Sequence, residues 1–296
     1  MGTVYLKLTM TAVLWGGTFI AGRMIAGEVP PFTAAFLRFI WASFFLFGFL
    51  LSRGRLTSFP SHHWRAFVIL GLTGIFAYNA FFFSGLRRIP ASRASLIIAS
   101  NPALIALFSA VLFKERLGAV RCAGIVLSVF GAVVVISKGH PWILWHGGVG
   151  LGDLLILGCV VSWVSYSLMG KRVMQAVSPE IAVAYSCLVG TLLLAIPASA
   201  EGVWSQLFSF SLSSWVGMFY LGFFGSFLGF RWYYEGIQAI GPARAGVFIN
   251  LVPLSAVVMA VLFLGEQVEV SLIVGALAIC LGVTLTNRAE PVHGDP

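Results

Sequence analysis

Residues 85–131 read GLRRIPASRASLIIASNPALIALFSAVLFKERLGAVRCAGIVLSVFG, and residues 236–282 read GIQAIGPARAGVFINLVPLSAVVMAVLFLGEQVEVSLIVGALAICLG. Laid over one another at an offset of 151, they share Gly85/Gly236, Ile89/Ile240, Arg93/Arg244, Ala94/Ala245, Ile98/Ile249, Pro102/Pro253, Glu115/Glu266, Gly124/Gly275 and Gly131/Gly282. That is nine identities in 47 positions without a gap. Apolar sequences match by chance fairly often, so the ordered series of Arg-Ala, mid-span Pro, Glu and paired Gly carries more weight than the identity. Upstream, at an offset of 148, Trp15, Gly22 and Pro31 match Trp163, Gly170 and Pro179, and Arg23 faces Lys171. The chain therefore reads as two repeats, 1–141 and 149–288, followed by a short tail at 289–296.

The repeated unit is a set of membrane spans. Hydrophobic residues make up 59% of the 296-residue chain and charged residues 9%, against about 25% charged in ordinary soluble domains. Mean hydropathy is +0.97. A bilayer core of about 30 Å needs roughly 20 apolar residues at 1.5 Å each. That ruler predicts ten spans, at 4–25, 31–52, 64–86, 93–113, 118–137, 152–173, 180–199, 213–236, 243–264 and 269–287. Turn and charge signals such as Pro30-Pro31, Arg53-Gly54-Arg55, Ser178-Pro179 and Gly265-Glu266 separate them. Each half holds five spans, and an odd number obliges the second half to enter the membrane from the opposite side. The expected fold is all-α and integral to the membrane: ten transmembrane helices as two inverted five-helix repeats. Inverted repeats are the architecture of alternating-access transporters, with the site near the midplane between halves.

The formal charge is +8, yet no basic run exceeds doublets such as Arg87-Arg88 and Lys171-Arg172. The excess thus speaks for loop topology rather than for nucleic acid. With the N-terminus inside, the cytoplasmic cations are Lys7, Arg53, Arg55, Arg65, Lys114, Arg116, Arg121, Lys171, Arg172, Arg244 and Arg288. The outer cations are Arg23, Arg87, Arg88, Arg93 and Lys138. Eleven against five predicts both termini in the cytoplasm of an inner-membrane protein. Trp142, Trp145, Trp204 and Trp215 in the outer loops fit an interfacial belt. Met1–Lys7 runs into the first span with no small-residue cleavage site, as expected of an uncleaved span. Cys122, Cys159, Cys187 and Cys280 lie scattered in apolar stretches without metal or disulfide spacing. No phosphate-binding glycine loop, catalytic triad or metal cluster is present, and all five histidines fall in loops or the tail. No cofactor, metal or catalytic residue is expected, which makes a membrane-embedded enzyme or receptor the weaker reading.

Ten spans in two halves, each closed by a Leu112-Phe113-Lys114-Glu115 or Phe263-Leu264-Gly265-Glu266 turn, together with the Trp15-Gly16-Gly17-Thr18-Phe19 opening, resemble the EamA-type drug/metabolite transporter superfamily over almost the whole chain. Within it the chain is most similar to YddG-type exporters of aromatic and other amino acids. The resemblance implies a monomeric basket in which spans one, three, four, six, eight and nine line a central cavity, while five and ten lie more peripherally. It implies amino acids as the small-molecule substrate, moved outward across the bilayer. Carriers of sugar phosphates or nucleotide sugars in the same superfamily are the alternative, and such a site needs clustered cations.

The residues offer candidates for that site. Glu235 is the only acid inside a span, so a buried mid-depth carboxylate for proton exchange is missing. Arg231 lies four residues before Glu235 on the same helical face; the pair either neutralises itself or lines the inner mouth of a cavity. Arg38 is the other embedded charge, expected to snorkel outward or to stabilise the fold, with a role in meeting the substrate as the third reading. Trp15 and Trp163 are repeat mates at mid-depth beside Thr18 and Tyr166, either packing or cavity wall. Tyr78, Asn79, Ser100, Asn101 and Asn250 interrupt apolar runs, and polar groups in hydrocarbon must face helices or water. They serve interhelical bonding or recognise a zwitterion. Pro102 and Pro253, at matched positions, are candidate hinges or static kinks.

Overall fold

The computed structural model describes residues 1–54, 61–113, 118–140, 142, 149–173, 176–240 and 242–287, with the side chains of 61, 113 and 242–244 left aside. Lys114 and Glu115 of the first closing turn, Arg55, Arg116, Trp145, Arg288, the tail and the Arg244 side chain lie outside the described residues. Ten apolar helices are described: α1 Gly2–Ile25, α2 Pro31–Ser52, α3 Trp64–Leu86, α4 Ala91–Leu112, α5 Ala119–Ile136, α6 Leu151–Val173, α7 Pro179–Ala200, α8 Leu212–Ile240, α9 Ala245–Leu264 and α10 Val270–Thr286. The first nine are at least 18 residues long, and α10 has 17.

Their boundaries follow from local chemistry. Pro31 and Pro179 open α2 and α7 directly after extended residues, where the missing proline N–H costs nothing. Gly265 closes α9 at φ +64°, a left-handed cap that glycine adopts without penalty. On one face of the bundle three carboxylates take up helix-start amides that would otherwise lack partners. Glu201, after α7, accepts from Phe32 N, Thr33 N and the Thr33 hydroxyl at the start of α2. Glu266, after α9, accepts from Ala91 N, Ser92 N and Ser92 Oγ at the start of α4. Glu28, after α1, accepts from Ser211 N and the Ser211 and Ser214 hydroxyls at the start of α8.

Contacts along each pair of helices fix their relative direction. Helices α1 and α9 run parallel, with Tyr5 near Phe248 and Ser255 Oγ donating to Ala12 O. Trp41–Phe219, Phe45–Phe223 and Phe49–Phe227 make α2 and α8 parallel. Helices α2 and α7 are antiparallel, joined by Ser43–Thr191 and Phe47–Tyr185. Helices α5 and α10 are antiparallel too: a Cβ at Gly124 would lie 2.6 Å from Gly282 O, and one at Gly131 2.8 Å from Gly275 O. Ten alternating crossings satisfy all of these, and they bring Gly2 and Thr286 to the same face.

The contacts also carry the two-fold relation of the repeat. Ser43 and Thr191 are equivalent at the offset of 148 and meet each other. Gly124–Gly282 and Gly131–Gly275 exchange under the offset of 151. Lipid is as apolar as leucine, so such close approach, not hydrophobic burial, holds transmembrane helices together. The other flanks face acyl chains with Leu277, Leu281, Phe44 and Ile196 exposed.

The structure moves some residues from their expected places. Trp215 sits inside α8, not in a loop. Arg93, counted among the outer loop cations, lies in α4 and is buried; its Nε and Nη2 donate to Asp153 of α6 at 2.7 and 2.8 Å, and Nη2 also reaches Ile136 O. Lys7 lies in the second turn of α1, not in a loop. Both cations are held by acids, so they act as cross-links as much as topology signals.

Candidate functional site

Helices α3 and α8 share a feature that periodicity does not reveal. Each widens to a π-helical stretch, Gly71–Ala77 and Tyr220–Leu228. Tyr78 N–H reaches back to Thr73 O and Gly229 N–H to Phe224 O, five residues in each case. Tyr78 and Gly229 are equivalent at the offset of 151. Such extra-residue turns recur at functional sites. The only sequence signal is the glycine spacing of Gly71/Gly74 and Gly222/Gly225.

Each widened turn faces one of the paired tryptophans. On the α1/α8 side, Trp15 packs at Gly229, where a Cβ would lie 2.5 Å from Nε1, and Thr18 packs at Gly225. The Trp15 indole N–H donates to Gly225 O at 2.9 Å, and Thr18 Oγ1 donates to Trp15 O. On the α6/α3 side, Trp163 meets Tyr78 with ring centroids 5.4 Å apart, and Tyr166 covers Gly74. Trp163 and Tyr166 rings are 5.3 Å apart. The two sets correspond position by position, Trp15 to Trp163, Thr18 to Tyr166, Gly225 to Gly74 and Gly229 to Tyr78. Their polar groups differ: among the described residues the Trp163 indole N–H and the Tyr78 and Tyr166 hydroxyls have no hydrogen-bond partner.

Arg38 is tied to α3 next to Tyr78, through Asn79. It is 9% exposed, seven residues into α2, or about 10 Å below the helix start. It does not snorkel. Nε donates to Ser226 Oγ and Nη1 to Asn79 Oδ1, both at 3.1 Å, while Asn79 Nδ2 donates to Ile75 O. An arginine near the centre of a span costs about 2.5–3.5 kcal/mol on insertion scales, so its neutral surroundings need a reason.

The remaining candidates are distributed. α4 breaks at Ala99–Ser100 and α9 at Asn250, positions 99 and 250 being equivalent, so the interruptions fall just before Pro102 and Pro253. Ser100 Oγ donates to Ile97 O. Asn101 is buried, and its Oδ1 is unpartnered among the described residues. Arg231 and Glu235 form the expected ion pair at 3.0 Å. The sequence did not reveal its third member, because Lys7 reaches Glu235 from another helix, at 2.6 Å. The Arg231 guanidinium also sits 4.6 Å from the centre of the Phe49 ring. With Phe49, Phe230 and Tyr234 it lines a pocket between α2, α7 and α8 at the face where α1 begins.

The sequence model of the EamA-like transporter family matches residues 3–137 and 150–288. The uncharacterized transporter YyaM of Bacillus subtilis (strain 168) is 27% identical over 281 residues, 95% of this chain and 92% of that protein. An uncharacterized transporter of Archaeoglobus fulgidus is 27% identical over 286 residues, 97% of this chain and 98% of that one. A protein of known crystal structure superposes with a TM-score of 0.64 at 24% identity, covering 96% of this chain and 97% of its own, which supports the fold. Matched in both halves, the chain belongs to the EamA-like transporter family.

Proposed function

We propose that this transporter exports amino acids with an apolar or aromatic side chain, by alternating access through a cavity between its two halves. The observation that carries the reading is the aromatic cluster where α3 meets α6. Tyr78, Trp163 and Tyr166 pack there with polar groups that have no hydrogen-bond partner among the described residues, and the buried Arg38 bonds to Asn79, the neighbour of Tyr78. That combination suits a small zwitterion with an apolar side chain. Trp163, Tyr78, Tyr166 and Asn79 contact it or its anchor, and Asn101 brings a buried amide to the α4 break at Ala99–Ser100. Trp15, Thr18, Ser100 and Asn250 shape the opposite wall and the helix breaks, and Pro102 and Pro253 set the hinges. Arg231 and Glu235 form the mouth on the face that carries Gly2 and Thr286, taken in this reading as the cytoplasmic face of the inner membrane because the loop cations favour it. The cavity lies within one chain, so a monomer suffices.

A phosphate ester is less well served. Arg38 and Arg231 stack on Phe39 and Phe49 respectively, ten residues apart on α2, or about 15 Å, and Arg231 is already paired. Proteoliposomes loaded with labelled phenylalanine test the proposal. Efflux that unlabelled amino acids accelerate is expected. Retained exchange of a phosphate ester with no flux of any amino acid would reverse the assignment.

A further inference from the structure

We propose that Arg38 docks the carboxylate of the transported substrate, while Asn79 and Ser226 hold the guanidinium in register. The inference deepens the amino-acid reading and rests on it.

The first ground is charge. An arginine is always protonated, and Arg38 is nine-tenths buried inside a span. Its only described polar partners are two neutral oxygens. The acids on the described faces are engaged elsewhere: Glu28, Glu201 and Glu266 at helix starts, Asp153 with Arg93, and Glu235 with Lys7 and Arg231. A buried cation without a counter-charge is costly unless an anion arrives.

The second ground is geometry. A guanidinium has five N–H donors in a planar fork suited to a carboxylate. Nε and one Nη1 proton are used, and Nη2 makes no hydrogen bond among the described residues. Nη2 is also absent from the fully enclosed unpartnered atoms, which are Asn101 Oδ1 and Ser128 Oγ. It therefore borders space that a water-sized group reaches. The two spent donors fix the plane of the fork and leave its three other N–H groups without a described protein partner.

The third ground is the broken symmetry. The repeat equivalents of Arg38, Asn79 and Ser226 are Ser186, Phe230 and Ile75, so the cluster is no shared element of the two bundles. One cation matches one negative charge, a monocarboxylate rather than a phosphate ester. Tyr78, next to Asn79 in the chain, and the Trp163 ring 5.4 Å from it offer faces on which an ammonium group can rest.

Calorimetric binding of phenylalanine, 3-phenylpropionate and phenethylamine to the purified full chain tests this, with wild type beside Arg38→Gln. Wild type should bind both carboxylates at least about tenfold more tightly than the amine. Arg38→Gln should weaken both carboxylates about tenfold or more, the worth of a lost charged hydrogen bond, and leave the amine within about twofold. Phenylalanine bound equally by both proteins overturns the dock and leaves the amino-acid reading standing. Binding of 3-phenylpropionate alone, dependent on Arg38, upholds the dock and removes the amino-acid reading. If Arg38→Gln does not fold, the wild-type series decides: an amine bound as tightly as its acid overturns the proposal.

Discussion

The α1/α8 seam and the α3/α6 seam are repeat images of one another, yet one is cross-linked by polar bonds along its length and the other is closed almost wholly by apolar and aromatic packing. Glu28 ties the end of α1 to the start of α8. At mid-depth Trp15 donates to Gly225 O and the Tyr220 hydroxyl donates to Leu14 O. Lys7 binds Glu235 at the far end. Between residues 74–86 and 151–170, by contrast, the α3/α6 seam carries a single weak polar contact, Cys159 Sγ to Tyr78 O at 3.5 Å. A duplicated scaffold need not do the same work twice. One copy spends its polar groups on holding helices together, and the other keeps them free.

The two glycines under the widened turns give the largest test of that contrast. A Cβ on Gly74 would lie 2.2 Å from the Tyr166 ring, whereas one on Gly225 would lie 2.6 Å from the Thr18 methyl. Gly74→Ala is expected to cost about 1–3 kcal/mol, as overpacked cores do, and to cut transport. Gly225→Ala should cost less, because Thr18 has a second helical rotamer open to it. Thermal melting in detergent would show the order, and equal costs would erase the distinction.

Replacing each tryptophan by phenylalanine separates structure from binding. Trp15→Phe loses a satisfied hydrogen bond, so stability should fall by about 0.5–1.5 kcal/mol with substrate affinity almost unchanged. Trp163→Phe should leave stability intact and weaken the substrate roughly tenfold, the same energy read in the other assay. A smaller effect is expected at Asn101, whose amide oxygen has no described partner to lose. Asn101→Ala should change stability by no more than about 0.5 kcal/mol while weakening binding; strong destabilisation would mean that the amide serves the fold.

Acid sharpens the contrast least. Hydrogen bonds from Ser211 and Ser214 hold the exposed Glu28 carboxyl below its ordinary 4.5. Its contribution to stability is therefore complete above pH 4.5 and lost as pH falls through the lower folded value. Wild type should exceed Glu28→Gln at neutral pH and converge on it in acid. A gap that persists unchanged into acid would show that the α1/α8 clamp does not depend on that charge.

Much of the architecture was legible because hydrocarbon imposes a length rule and the repeat imposes a second copy. The ten spans and the Arg231–Glu235 pair follow from spacing along one helix. What escaped depends on contacts between helices. Lys7 reads as a loop cation because its acid is 228 residues away. Arg38 stays open in sequence between snorkelling, a role in the fold and a role with substrate, because nothing in α2 shows that Asn79 and Ser226 wait beside it. The widened turns are invisible to a 3.6-residue period, since one extra residue in an all-apolar stretch shifts no pattern. The paired tryptophans look equivalent in sequence, and Gly229 against Tyr78 and Thr18 against Tyr166 separate them.

Thiol labelling at positions 15 and 163, each carried as Trp→Cys in a protein whose four native cysteines are replaced, addresses the division of labour most directly. With a water-soluble maleimide, position 163 should react readily and be protected by phenylalanine, while position 15 should react slowly and ignore the ligand. Equal protection at both positions, or protection at 15 alone, would contradict the account.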